Sequence, residues 1–166
     1  MKKIFSIAAM FSLMFIATVF TAQTANAVVI MGNPTPLDFE RYESYFEKNN
    51  SGLKGDKSFL MLGSQKQFDK VFGAAATMGQ NSFLPDDAFK SKIVVAVLKR
   101  GNLRRYENIK VTTEKGKLLV WYDAADEAPS GATFSSPLIL AVNKGKYKEV
   151  VFMENGKRTG VARLKK

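Results

Sequence analysis

The side chains that most often carry enzyme chemistry are missing from this chain. It contains no His and no Cys, which excludes the commonest general base, thiol nucleophiles and typical zinc sites. Carboxylates, hydroxyls and lysines remain. Ser51 and Lys54 have the Ser-x-x-Lys spacing in which a lysine can activate a serine nucleophile. Because Ser51 lies in a loop rich in Gly and Asn, and no Ser-Asp-Asn element follows, we interpret this spacing as a coincidence.

Acidic residues are the next candidates for chemistry. Asp123, Asp126 and Glu127 lie close together in sequence, and Asp86 and Asp87 form a second pair. Carboxylate oxygens bind hard cations such as Ca²⁺, but this spacing lacks the alternating donors and the Gly of an EF-hand loop. We therefore predict solvated turns, with no metal, no cofactor and no catalytic residue. A metal-dependent hydrolase remains an alternative, and it requires these five carboxylates to converge in one cleft.

The densest group of basic residues surrounds a predicted turn at Gly101-Asn102. The candidate partner-binding residues are Lys99, Arg100, Arg104, Arg105 and Tyr106. Such a group can bind phosphate groups, sulfate groups or an acidic protein surface. A polyanion-binding protein is thus a second alternative. The net charge of the chain is +10, but its basic residues are scattered, so nucleic acid is not the expected partner.

The beginning of the chain predicts its destination. Lys2 and Lys3 precede the apolar segment Ile4–Phe20, and Ala25-Asn26-Ala27 fits a cleavage site, as in a secretory signal peptide. We predict a signal peptide over residues 1–27, a single globular domain over residues 28–166 and a periplasmic or secreted location. No later segment is long and apolar enough to span a bilayer. Without Cys, packing alone must hold this exported fold together.

One apolar segment predicts the centre of the fold. Ile93–Leu98 is an uninterrupted run of six apolar residues, rich in β-branched side chains and followed by a turn, which indicates a strand covered on both faces. Pro137–Val142 is a second run of this kind. Ser64 and Gln67 fit a capping box that begins a helix over Ser64–Met78 with one apolar face. The predicted fold is α+β: a mostly antiparallel sheet of five to seven strands with this helix packed on one face.

Alternation and turn residues predict further elements. In the strand Leu118–Tyr122 the even-numbered residues point one way, and Leu119 and Trp121 the other. The apolar spacing within Leu37–Asn50 favours a helix, with an edge strand at Tyr45-Phe46 as the alternative. Asn155-Gly156 predicts a two-residue type I′ hairpin turn. In that hairpin we expect Glu154 to face Lys157 as an ion pair, Phe152 to face Thr159, and Val150 to face Val161.

The order of these segments resembles a known family. Ser58–Ser64, the helix around Phe68, the Asp87-Ala-Phe89 lead-in to Ile93–Val97, and Phe134–Val142 are similar to the pattern of PrcB-like small exported proteins. That family is named for a protease-complex subunit, so the resemblance implies a protease-associated role. The Gly-Gly-Tyr segment of the family is replaced here by Leu103–Tyr106.

A second resemblance is to small secreted proteins of unknown function. It rests on the aromatic segment Tyr45–Asn49 and on the Gly-Ala-Ala-x-Met-Gly helix end at Gly73–Gly79. Taken together, the sequence predicts an exported, non-enzymatic binding module with an unknown protein partner. The PrcB-like resemblance makes a protease the expected partner, contacted or restrained through strands or loops. The sequence does not specify an oligomeric state.

Overall fold

The structure is a computed structural model that describes residues 34–75, 81–127 and 134–164; the side chain of Phe134 is not described. These residues belong to one compact unit, Gly32–Lys166. The predicted signal peptide and the last residues of the predicted helix, 76–78, lie outside the described residues.

Short strands make up most of the described chain. In order they are β1 (Thr35–Pro36), β2 (Phe39–Tyr42), β3 (Tyr45–Glu47), β4 (Lys57–Leu62), helix α1 (Gln65–Val71), β5 (Phe72–Ala74), helix α2 (Ala88–Ser91), β6 (Lys92–Gly101), β7 (Arg104–Glu114), β8 (Lys117–Asp126), β9 (Phe134–Asn143), β10 (Glu149–Glu154) and β11 (Lys157–Ala162).

The strands form several sheets rather than the single sheet predicted. One sheet has the order β1-β7-β8-β10-β11, a second has the order β2-β9-β6-β4, and β3 pairs with β5 in a small third sheet. All neighbours are antiparallel except β8 and β10, which run parallel. The prediction of a mostly antiparallel architecture is therefore confirmed, and the prediction of one sheet is wrong.

The interior strand predicted from Ile93–Leu98 is confirmed as the centre of the fold. These residues lie in β6, between β9 and β4, and each is at most 4% exposed. The odd-numbered side chains join an apolar cluster with residues of β7, β8 and β10, and the even-numbered ones join a second cluster with Phe68 and Val71 of α1. A strand that is apolar on both faces needs cover on both faces. The five-stranded sheet supplies one cover, which a single-sheet fold could not provide.

Pro137 shows how β9 fits between its neighbours. β9 pairs with β6 along its whole length, but β2 pairs with it only over Ile139–Val142. A proline has no N–H to donate, so it is tolerated where a strand has a neighbour on one side only. At Pro137, β9 no longer pairs with β2, because the chain after β2 turns away towards β3.

The helix predicted over Ser64–Met78 is shorter than expected. Its start is confirmed, since the Ser64 hydroxyl accepts from the backbone N–H of Gln67 at 3.4 Å, although the Gln67 amide oxygen accepts from Gly63 rather than from Ser64. The helix ends at Val71, and Phe72 has an extended backbone. The next residues pair with Tyr45–Glu47. Strand pairing thus outweighs the helical spacing of the apolar residues.

The helix predicted within Leu37–Asn50 is wrong. This segment forms β2 and β3, which pair with β9 and β5 respectively. Tyr42 lies in the second apolar cluster and Phe39 packs against the first. Residues three apart point to opposite faces of a strand, and here the two faces of β2 meet different apolar clusters. The segment forms a strand rather than a helix because β9 offers an edge with which β2 pairs.

The two predicted turns have different outcomes. Gly101-Asn102 does not join a hairpin, because β6 and β7 on either side of it belong to different sheets. The turn at Asn155-Gly156 is confirmed: both residues have positive φ, 49° and 76°, as type I′ requires. Glu154 faces Lys157, but an irregularity between Phe152 and Met153 shifts the remaining pairs by one residue.

Because both faces of β6 are buried, we expect its leucine to stabilise the fold more than an exposed leucine does. Leu98→Ala removes a side chain that is 0% exposed, so we expect the free energy of unfolding to fall by about 2–5 kcal/mol. Leu103→Ala, at a position 43% exposed, is the matched control and should change it by less than about 0.5 kcal/mol. Urea unfolding of both variants measures the difference. Equal losses would contradict the central position of β6.

Candidate functional site

The fold divides the basic residues predicted as a binding group between two sheets. Lys99 and Arg100 lie at the end of β6, in the four-stranded sheet, and Arg104, Arg105 and Tyr106 begin β7, in the five-stranded sheet. Tyr106 is 4% exposed, and its hydroxyl donates to the Ser136 carbonyl at 2.9 Å. Burial raises the pKa of this phenol, so Tyr106 stays protonated and is part of the core.

The three arginines of this group already have carboxylate partners. Arg100 is bidentate with Glu47, with Nε at 2.8 Å and Nη2 at 2.5 Å from its two oxygens. Arg104 forms ion pairs of 3.1 Å with Asp126 and with Glu154, and Arg105 pairs with Glu107 at 3.1 Å. An anionic ligand at these arginines would have to displace protein carboxylates.

The acidic residues do not form a metal site among the described residues. Asp123 and Asp126 lie within β8, where Asp123 accepts from the Asn108 amide at 2.7 Å. Asp86 and Asp87 lie in the turn that precedes α2. No group of three or more acidic residues in the described chain has the proximity to bind a metal ion. The Ser51 hydroxyl donates to Glu47 at 2.8 Å, so its nearest ionisable partner is this carboxylate.

Glu154 lies at the centre of a buried ionic cluster. Its side chain is 9% exposed and accepts from Lys57 at 2.6 Å and Tyr122 at 3.0 Å, while Arg104 lies 3.1 Å away. The predicted ion pair with Lys157 is wrong, because Glu154 shares the inward face of β10 with Phe152 and meets cations from β4 and β7 there. Burial alone would raise the pKa of Glu154, but these hydrogen bonds and charges outweigh burial and lower it.

Glu47 forms a second centre, at an open cleft of about 480 Å³. Besides Arg100 and Ser51, it accepts from the Ser135 hydroxyl at 3.0 Å. It therefore joins β3, the following loop, the end of β6 and the start of β9. The residues that line this cleft are Phe46, Glu47, Lys48, Asn49, Ser51, Leu53, Arg100 and Ser135.

The five-stranded sheet carries apolar side chains on the face turned away from the four-stranded sheet. Leu118, Val120 and Tyr122 point inward, which confirms the predicted alternation in β8 and directs its odd-numbered residues outward. The cross-strand register extends this outward surface over β10 and β11. We define the outer face as Leu119, Trp121, Val151, Met153 and Val161.

Charged residues border the outer face. One row across the sheet reads Lys110, Trp121, Met153 and Arg158, so a cation stands at each end. Both cations are exposed and make no hydrogen bond or ion pair with the rest of the described chain. Two rows away on the same face, beyond the row of Leu119, Val151 and Val161, Glu149 pairs with Lys117 at 2.8 Å and Arg163 at 2.9 Å. The hydrogen bond from Lys117, followed by that from Arg163, lowers the pKa of Glu149.

Two of these features had a signal in the sequence. Glu154 follows Val150 and Phe152 at strand spacing, which places its carboxylate on the inward face of the strand. A buried carboxylate needs a cation as partner, so the sequence contained a signal for this cluster. Leu119 and Trp121 were assigned to the opposite face from the core residues of β8. The Glu47 cleft had no such signal, because it depends on where β3 departs from β9.

Comparison with protein-family models, with curated proteins and with solved structures finds no match to this chain. In the described residues, no helix is long and apolar enough to cross a membrane.

The Glu154 cluster predicts a pH-dependent contribution to stability. Glu154→Gln leaves Lys57 without its carboxylate and Arg104 with Asp126 alone, so we expect a loss of about 3–5 kcal/mol at pH 7. Because the pKa of Glu154 is lower in the folded chain than its ordinary 4.5, the stabilisation is complete above that value and is lost as the pH falls through the folded pKa. The difference between variant and wild type should therefore shrink on acidification.

Glu107→Gln is the control for this experiment. Its carboxylate pairs with Arg105 on the surface, where both side chains are more than half exposed, so its removal should cost less than about 1 kcal/mol. Urea unfolding between pH 7 and pH 3.5 compares the two variants. A pH-independent difference between Glu154→Gln and wild type would show that the charge of Glu154 is not the source of the stabilisation.

Proposed function

We propose that this chain is an exported, non-enzymatic binding module and that the outer face is its partner-binding surface. The observation that carries the proposal is the combination of Trp121, Met153 and three aliphatic side chains on one sheet face with an uncompensated cation at either end of one row. Contiguous apolar surface with polar borders is typical of protein–protein contacts. Trp, Met and Arg are also enriched there.

The charges define the chemistry of the partner. Lys110 and Arg158 are exposed without a protein counter-charge in the described chain, so we propose a protein partner with an apolar centre and acidic side chains on both sides of it. Such complementarity mainly accelerates association and selects the partner. The resemblance to PrcB-like proteins makes a protease the first partner class to test.

The absence of catalysis is part of the proposal and rests on the state of the carboxylates. The pKa values of Glu40, Glu47, Glu149 and Glu154 are lowered, each by hydrogen bonds from cationic side chains. A general acid near neutral pH needs a raised carboxyl pKa. This favours ion pairs that stabilise the fold over the hydrolase alternative. The polyanion alternative is disfavoured because its arginines already bind carboxylates.

Helix α1 has a structural role in this proposal. Phe68 and Val71 are buried in the apolar cluster on the far side of the four-stranded sheet, and we propose that the helix serves as cover for that side. The outer face is then the sheet surface that remains for a partner.

Site-specific photocrosslinking tests the outer face as a partner surface. A benzoylphenylalanine at Trp121 should give a discrete adduct in the cells that produce the protein, whereas the same group at Lys66, an exposed position on α1, should not. The charge reversals Lys110→Glu and Arg158→Glu together should reduce the adduct at position 121 by about tenfold, and added salt should reduce it as well.

Three outcomes would contradict this proposal. They are the absence of an adduct at position 121, equal adducts at positions 66 and 121, and an adduct that the charge reversals leave unchanged. Labelling of the adduct with active-site-directed protease probes then tests the partner class. An unlabelled adduct that depends on the charges would reject the protease and retain the binding module.

A further inference from the structure

The cleft at Glu47 forms where two strands separate. β2 pairs with β9 at Ile139–Val142, but β3 pairs with β5 instead of continuing along β9. The space between β3 and the start of β9 is open and has a volume of about 480 Å³, within the range of small-ligand sites. The cleft belongs to the four-stranded sheet and the β3–β5 pair, whereas the outer face belongs to the five-stranded sheet, so the two surfaces are formed by different strands.

An aromatic ring borders this cleft and lies over a glycine. Phe46 is 48% exposed, yet one side of its ring lies directly against the backbone of Gly73. A Cβ at Gly73 would lie 2.6 Å from the Phe46 Cζ atom, so only glycine permits this contact. The ring therefore lies over Gly73 beside the cleft, with about half of its surface exposed. An exposed aromatic face suits a ligand that has a flat C–H face.

The polar groups of the cleft favour a neutral ligand. The carboxylate of Glu47 is fully engaged by Arg100 and by the hydroxyls of Ser51 and Ser135. The Glu47–Arg100 pair has no net charge, and the one further cation of the cleft lining, Lys48, donates to the Asp69 carbonyl at 2.5 Å, outside the lining. A cationic ligand would meet Arg100 and Lys48, and an anionic ligand would meet the carboxylate of Glu47 within the same network.

Hydrogen-bonding capacity nevertheless remains in the cleft. The Ser135 hydroxyl donates its hydrogen to Glu47 and keeps lone pairs, and hydroxyls polarised in this way are better acceptors. One N–H of the Arg100 guanidinium is left after its bonds to Glu47, Gly55 and Ser58. The exposed Asn49 amide can both donate and accept. These groups match a ligand whose hydroxyls do both.

We propose that the cleft binds a neutral β-linked glucopyranose unit, with its C–H face on Phe46 and its hydroxyls towards Ser135, Arg100 and Asn49. All ring hydroxyls of β-glucopyranose are equatorial, so its two faces expose axial C–H groups that stack on an aromatic ring. The electron-rich face of the ring attracts the positive edges of such C–H groups.

Titration of the chain without its predicted signal peptide (residues 28–166) with cellotriose, followed by ¹H–¹⁵N NMR, tests this proposal. We expect saturable shifts confined to residues of the cleft, with a dissociation constant in the range of about 0.1–10 mM typical of weak ligands. Phe46→Ala should weaken binding at least about fivefold, since an aromatic contact is removed. Phe83→Ala, at another exposed phenylalanine of the described chain (41%), is the matched control and should leave binding unchanged.

Two further comparisons keep the test decisive. Asn49→Ala, at an exposed loop position, should weaken binding without affecting the folded spectrum, so a folding defect in the Phe46 variant would not leave the question open. Methyl β-glucuronide has the same ring with a carboxylate added and should bind more weakly than methyl β-glucoside. No shifts with cellotriose, unchanged binding in Phe46→Ala, or preference for the glucuronide would each overturn the proposal.

Discussion

The structure depends on the burial of both faces of one strand. β6 presents apolar side chains in two directions, and each direction must be removed from water. The five-stranded sheet covers one face, and the side chains on the other face belong to an apolar cluster with Tyr42, Phe68 and Phe72. This requirement brings the two larger sheets together in a chain without disulfides.

Ion pairs join the layers where the apolar contacts end. Glu154, on β10, binds Lys57 of β4 and Arg104 of β7 and therefore connects the two larger sheets. Glu47 similarly connects β3 to β6 and β9 through Arg100 and Ser135. Buried carboxylates need such partners because desolvation of an unpaired charge is costly. Arg100 and Arg104, both from the densest basic segment of the sequence, are partners of these two carboxylates.

Two surfaces remain after the fold has satisfied its own side chains, and their chemistry differs. The outer face combines half-buried apolar side chains with exposed cations, which suits a folded partner of opposite charge. The cleft combines one exposed aromatic ring with hydroxyl and amide groups and the Glu47–Arg100 ion pair, which suits a small neutral ligand. The basic character of the chain is thus expressed mainly at exposed positions such as Lys110 and Arg158, outside the ionic clusters.

The sequence by itself determined the elements whose side chains have one possible environment. The interior strand β6, the alternation in β8, the start of α1 and the Asn155-Gly156 turn were all readable, because local patterns and turn residues act within a few positions. The end of α1, the strands β2 and β3, the division into two larger sheets and the partners of Arg100 and Glu154 were decided only by the tertiary structure. Each depends on which edge or counter-charge lies across a gap in space, and residues far apart in the chain supply it.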